Sequence, residues 1–237
     1  MTAPLRLAVF DCDGTLIDSQ HMIVAAMAHA FAAHGLAELP RAQVLSIVGL
    51  SLDEALAALL PEAEAGFRRR VTASYRDAFF EVRRRKDLAE PLFPGARAAI
   101  EALHARGDVL LGIATGKSQQ GLRHALETHG LSDYFVTLQT ADDAPSKPHP
   151  GMLYRAMAET GIDPAATALI GDTSYDIEMA RAAGTHALGV EWGYHAPETL
   201  RRSGAHLVLP DFSALAPALD TLWPGAASSA DQGRQVP

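Results

Sequence analysis

The stretch Leu7-Ala8-Val9-Phe10-Asp11-Cys12-Asp13-Gly14-Thr15-Leu16 decides how the rest of this chain is read. Leu7 to Phe10 is an unbroken apolar run, the pattern of a short strand buried on both faces. It ends in two carboxylates, Asp11 and Asp13, and then a glycine. Residues two apart at a strand end point the same way, and ligands of open α/β sheets sit at such ends. The two carboxylates therefore can converge on one spot. Their repulsion is offset by a bound cation such as Mg²⁺, or one of them takes up a proton and works as an acid. A plain strand followed by a polar turn would also use Asp and Gly. A calcium loop is excluded by spacing: with Asp11 first, the required glycine position holds Leu16 and the required glutamate position holds Met22. A cysteine-based phosphatase loop around Cys12 lacks its arginine, because Ile17, Asp18 and Ser19 fill that turn.

The chain has 237 residues, 48% of them hydrophobic, enough for one large domain or a core domain with an insertion. A net charge of −8 argues against nucleic-acid or anionic-membrane partners, while leaving room for a local cationic pocket. The single cysteine forms no internal disulfide, which fits a reducing compartment. The opening Met1-Thr2-Ala3-Pro4-Leu5-Arg6 lacks a signal-peptide layout, so a cytoplasmic location is expected. The tail from Pro224 to Pro237, rich in Gly, Ala, Ser and Gln, is expected to be disordered.

Residues 18–88 read as wholly helical. Asp18-Ser19 suits an N-cap for a helix to about His34, ended by Gly35. A short helix follows from Arg41 to Ile47. Ser51 with Glu54 reads as a capping box for Leu52 to Leu60. Pro61 suits the start of a further helix to about Lys86, with Phe67, Val71, Tyr75, Phe79 and Val82 as its buried face. From Pro94 the texture changes to helices near 95–106, 118–129, 150–160 and 173–183. These alternate with strands at Val109–Ala114, Val136–Leu138, Ala168–Ile170 and His186–Val190. Such alternation implies a parallel sheet. The first strand belongs with it, so 18–88 is a helical insertion placed to act as a lid over Asp11 and Asp13.

Three more strand ends are polar. Ile113-Ala114 gives way to Thr115-Gly116-Lys117-Ser118, a hydroxyl followed by free N–H groups at a helix start, suited to phosphate. The rival Walker reading is one residue short of its spacing, and Ser118 alone could be an ordinary cap. Lys147 stands between Ser146 and Pro148-His149-Pro150, which keep the backbone around it extended and rigid, so that a fixed ammonium could bind a phosphate and neutralise the carboxylates; a solvated loop lysine is the alternative. His149 reads as a loop residue. Leu169-Ile170-Gly171-Asp172 is followed by Asp176, one turn into a helix and facing the same way. Carboxylates at a helix start also serve as caps. Oxygen ligands suit Mg²⁺, and no histidine pair has zinc spacing.

Taken together, Asp11-Cys12-Asp13-Gly14-Thr15, Thr115-Gly116, Lys147-Pro148 and Gly171-Asp172 with Asp176 resemble the four motifs of the haloacid dehalogenase-like (HAD) hydrolase superfamily. The match spans about residues 6–210. With Asp18-Ser19 and Trp192-Gly193-Tyr194 it is similar to the phosphoglycolate phosphatase-like branch. The resemblance implies an α/β fold, a Rossmann-like parallel sheet core (1–17 and 89–223) with an inserted helical cap (18–88). It implies Asp11 as a nucleophile that forms an aspartyl-phosphate, and Asp13 as the acid that protonates the leaving oxygen and then helps activate water. It implies Mg²⁺ held by Asp11, the backbone carbonyl of Asp13 and Asp172, with Asp176 in support, and Thr115 and Lys147 on the phosphoryl oxygens. Dehalogenase members lack an acid at the place of Asp13, which points to phosphate chemistry. Cys12, where a larger apolar residue is common, reads as packing.

Substrate contact is expected from Gly116 and from the loop carrying Gly49 and Ser51. The runs Arg68-Arg69-Arg70 and Arg83-Arg84-Arg85 could recognise a carboxylate, but such runs are more often solvated helix faces and are read so here. The function that follows is a Mg²⁺-dependent phosphatase for a small phosphorylated metabolite, acting as a monomer or homodimer. The alternatives are a phosphosugar mutase of the same fold and a phosphate-binding module without turnover.

Overall fold

The computed structural model describes residues 4–84 and 90–223. Six strands, β1 (Arg6–Phe10), β2 (Val109–Ala114), β3 (Phe135–Gln139), β4 (Thr167–Gly171), β5 (His186–Val190) and β6 (Leu207–Leu209), form one parallel sheet. Their order is β3-β2-β1-β4-β5-β6. The expected Rossmann-like α/β architecture is therefore present. β1 lies between β2 and β4, where the winding reverses, and this is where such sheets open a crevice at their carboxyl ends.

β1 is buried along its whole length, which is why it reads as a continuous apolar run rather than an alternating one. Ala8 and Phe10 face a core with Ile100, Leu122 and Leu219, from α5 (Ala96–Ala105), α6 (Gln119–Thr128) and α10 (Leu215–Leu222). Leu7 and Val9 face the opposite core with Leu153 and Ile177, from α7 (Gly151–Thr160) and α8 (Ser174–Ala183). Period-two side-chain direction divides one strand between two layers. Cys12 is fully buried in the first of these cores, as its packing role requires. Two elements were not foreseen besides α10: α9 (Pro197–Arg202) and β6, whose three residues are too few to show a period.

Between β1 and β2 the chain forms α1 (Gln20–Ala33), α2 (Arg41–Leu45), α3 (Leu52–Leu59) and α4 (Ala65–Arg83). These helices share a third core, with Met27, Phe31, Leu56 and Val71 at its centre. Two expectations are corrected. α4 begins at Ala65 after a turn, not at Pro61. Ser51 stands at the start of α3, but its side chain makes no cap bond, so the box with Glu54 is not formed. Its backbone N–H instead donates to Ser146 Oγ across the cleft at 2.8 Å. The expected disordered tail at 224–237 lies outside the described residues. No described helix is long and apolar enough to cross a membrane.

Candidate active site

Every strand end singled out in the sequence opens into one place. Asp11 follows β1 and keeps its N–H on the Ile170 carbonyl of β4, 2.9 Å away, so its position is fixed by sheet pairing. One of its oxygens, Oδ1, accepts from the Cys12 N–H at 2.6 Å and sits 2.9 Å from Lys147 Nζ. The other, Oδ2, is buried and has no hydrogen-bond partner among the described residues. Lys147 is fully enclosed and donates to Asp176 Oδ1 at 2.6 Å. Asp176 Oδ2 in turn accepts from the Thr173 N–H at 3.0 Å and closes a capping box at the start of α8. The cap and the site are thus one device: the helix start orients the carboxylate that Lys147 needs.

Asp172 is held from both sides. Thr15 Oγ1 donates to Oδ1 at 2.8 Å, and the Tyr194 N–H donates to Oδ2 at 2.9 Å. Gly193 explains how the segment after β5 comes so close, since a Cβ there would lie 2.0 Å from Asp172 Cβ. Trp192 Nε1 completes the seat by donating to the Thr15 carbonyl at 3.0 Å.

Asp11, Asp172 and Asp176 each turn a carboxylate oxygen to one point, the three atoms lying within 4.8 Å of one another. Three buried carboxylates facing one ammonium leave an excess of negative charge. Burial first, and then the neighbouring Asp176 and Asp13, push the Asp11 carboxyl up to about 7 against the opposing pull of Lys147. Burial, with Asp11 and Asp176 beside it, pushes Asp172 well above the ordinary carboxylate range. Burial opposes the charge on Lys147, but its two carboxylate partners outweigh that and keep it protonated. A hard divalent cation fits this set: the ligands are all oxygen, they are short of positive charge, and Asp11 Oδ2 is an orphan.

The carboxylate of Asp13 stands outside that cluster. It accepts from Ser19 Oγ and Lys117 Nζ, both at 2.5 Å. Ser19 does precede α1, but its hydroxyl serves Asp13 and makes no helix-cap bond. Lys117 was quoted in the sequence motif and assigned no role there. Its ammonium also lies 3.6 Å from Glu90 Oε1. A lysine directly after Thr115-Gly116 at a helix entry was the available signal, but which carboxylate it meets is a matter of folding. Thr115 is buried and its N–H bonds the Gln139 carbonyl at 3.0 Å.

A cavity of about 290 Å³ joins these groups to the four helices. Asp11, Asp13, Thr115 and Gly116 line it from the sheet, and Gly49 and Ser51 from the facing loop. Lys147, Asp172 and Asp176 lie behind this wall. Gly116 lets the two sides touch, since a Cβ there would lie 2.4 Å from the Leu50 carbonyl oxygen. Across the cleft, Tyr175 Oη donates to the Ser46 carbonyl at 3.1 Å. His149 keeps to its loop, where its Nδ1 accepts from the Gly151 N–H. The arginine runs need correction at two residues. Arg68 is half-buried and donates to the Leu60 and Ala63 carbonyls at 3.3 and 2.7 Å. Arg84 is exposed as expected, whereas Arg83 is mostly buried and lines the cavity. Arg85 lies outside the described residues.

The family model described as "Haloacid dehalogenase-like hydrolase" matches residues 8–190. "Probable phosphatase IndB" of Dickeya dadantii is 34% identical over 221 residues, covering 91% of this chain and 94% of that protein. "Phosphoglycolate phosphatase" of Yersinia pestis is 31% identical over 217 residues, covering 91% and 93%. A solved hydrolase from Pseudomonas syringae superposes with a TM-score of 0.80 at 26% identity, covering 91% of this chain and 98% of its own. With the four polar strand ends gathered on one sheet and these relatives matching nearly end to end, the chain belongs to the haloacid dehalogenase-like hydrolase family, on its phosphatase side.

Proposed function

We propose that the chain hydrolyses a small phosphomonoester, phosphoglycolate-like or a sugar phosphate, through an aspartyl-phosphate on Asp11. The observation that carries this reading is Asp11 itself: the residue lines the cavity, one of its oxygens is anchored, and the other is buried and unpartnered among the described residues. The Asp11 carboxylate attacks phosphorus and the bond from phosphorus to the leaving oxygen breaks. Asp13, aimed by Ser19 and Lys117, gives that oxygen its proton. A water then attacks the phosphorus, Asp13 takes its proton, and inorganic phosphate and free Asp11 result. Thr115 and Lys147 hold the phosphoryl oxygens. Phosphoryl transfer depends chiefly on positioning and charge stabilisation, which a rigid set of strand ends supplies.

Asp11, Asp172, Asp176 and the Asp13 carbonyl would hold Mg²⁺, which when bound neutralises charge on the carboxylates and the phosphoryl group. Residues 18–88 are the cap in this reading, and 1–17 with 89–223 the catalytic core. The few polar contacts between α1–α4 and the sheet side, such as Ser51 to Ser146, suit a layer that opens for substrate.

The test is phosphate release from a panel of small phosphomonoesters, with Mg²⁺ and with chelator, beside Asp11→Asn. The expected result is metal-dependent release by the wild type, reduced by about 10³-fold or more in the folded variant. A phosphoenzyme that forms without releasing phosphate, and turns over only with a sugar bisphosphate, would replace hydrolysis with the mutase reaction.

A further inference from the structure

Arg83 is the last residue of α4, lines the cavity, and differs from its neighbour. The Arg84 side chain is 78% exposed and the Arg83 side chain 15%. Among the described residues, Arg83 Nε and Nη2 are buried without a hydrogen-bond partner. Those two nitrogens form one edge of the guanidinium, the edge that grips a carboxylate or phosphate through two parallel N–H···O bonds. Leaving such donors unpaired is costly, and what surrounds them compensates only in part. Glu90 Oε2 lies 3.6 Å from Nε, an ion pair outside hydrogen-bond range. The Phe79 ring is 5.0 Å from the guanidinium carbon.

The position of this edge matters as much as its vacancy. Glu90 also pairs with Lys117, which holds Asp13. The Lys117 ammonium lies 5.6 Å from the same Phe79 ring. Arg83 therefore borders the Asp13 side of the cavity, where the leaving group departs. The rest of that wall is largely apolar, with Ile23, Met27, Tyr75 and Phe79. Lys117 and Lys147 are each held by carboxylates, and Arg76 is exposed. Among the described residues, Arg83 is thus the buried cation of this cavity with donors to spare.

We propose that Arg83 is a specificity-determining residue that binds a second oxyanion, a carboxylate or a phosphate, on the leaving group of the substrate. The assignment deepens the phosphatase reading and rests on it. Substrates are then small phosphomonoesters with anionic charge at both ends, short enough to reach from Asp11 to the end of α4.

The test compares 2-phosphoglycolate with ethyl phosphate, similar in size and without the carboxylate, and adds inorganic pyrophosphate as the phosphate arm. Wild type, Arg83→Ala, Arg83→Lys and the surface control Arg84→Ala are assayed with Mg²⁺ after a check on p-nitrophenyl phosphate. The wild-type preference in kcat/KM for the doubly anionic substrate over ethyl phosphate is expected to fall by about 10–100-fold in Arg83→Ala, chiefly through KM. Arg83→Lys should recover part of it, since a lysine keeps the charge and loses the two-pronged edge. Arg84→Ala should leave the ratio alone. Whichever of phosphoglycolate and pyrophosphate suffers more names the oxyanion. An equal loss on ethyl phosphate would make Arg83 a latch to Glu90 and overturn the assignment, as would no loss at all. If the wild type fails even on p-nitrophenyl phosphate, the phosphatase reading falls by itself. Calorimetric titration of phosphoglycolate and ethyl phosphate into Asp11→Asn, with and without Arg83→Ala, then decides the matter for Arg83. Equal affinities in the two backgrounds would overturn it.

Discussion

The two walls of the cavity are built on opposite plans. On the sheet side, Asp11, Lys147, Asp172 and Asp176 are buried charges that brace one another through backbone groups and side chains from four separate segments. On the helix side, Met27, Tyr75 and Phe79 make a largely apolar surface interrupted by the Arg83 edge. The first wall is over-determined, because displacing any charge strands another. The second can exchange residues with little consequence for the first. Reaction chemistry belongs where geometry is locked by sheet pairing, and substrate choice where side chains vary over a common scaffold.

The sharpest way to break this contrast is Lys147→Ala. It leaves Asp11 and Asp176 buried and facing each other without their shared cation. Removing one member of a buried ion network costs about 3–5 kcal/mol. Urea unfolding should show a loss of that order, with phosphate release falling in parallel. A loss under about 1 kcal/mol, near the value for exposed pairs, would mean that the sheet wall is no more tightly coupled than a surface.

A smaller effect comes from pH and metal together. The Asp11 carboxyl is raised from its ordinary 3.8 to about 7, so the folded metal-free protein holds that proton more tightly than the unfolded chain. The stability this contributes is complete below the ordinary value and is lost as pH rises through about 7. A divalent cation needs the ionised carboxylate and must displace the proton in acid. The rise in Tm caused by Mg²⁺ is therefore expected to be about 4–8 °C larger near pH 8 than near pH 5.5. Differential scanning with Mg²⁺ and with chelator reads it. An equal rise at both values would detach the cation from Asp11.

The smallest expected effect compares two helix starts. Thr173 closes a capping box on the sheet side, and Ser51 makes no side-chain cap on the helix side. Thr173→Ala should cost about 1–2 kcal/mol, and Ser51→Ala under about 0.5 kcal/mol. Equal costs in chemical denaturation would show that both walls use their caps alike.

How much of this was legible follows from particular residues. Asp11, Thr115 and Asp172 each follow an apolar run, so their strand ends could be read locally, and the parallel sheet came with them. Trp192-Gly193-Tyr194 was visible as a pattern, but only the 2.0 Å approach of a Gly193 Cβ to Asp172 gives its physical reason. Ser19 and Ser51 were misread because a serine before a helix has the sequence of a cap whether its hydroxyl turns to the helix or elsewhere. Arg83 and Arg84 are indistinguishable in a run of three arginines. Their difference lies in which side of α4 meets the cavity.

The sequence by itself therefore determined the α/β fold, the order of its polar strand ends and the oxygen-rich character of the site. Strands are written in short apolar runs, and a side chain's direction at a strand end follows from its backbone position. Only the tertiary structure decided that Lys117 meets Asp13, that Lys147 bridges Asp11 and Asp176, and that Arg83 opens into the cavity. Those pairings join residues far apart in the chain, and a long cationic side chain reaches in any direction until the packing around it leaves one.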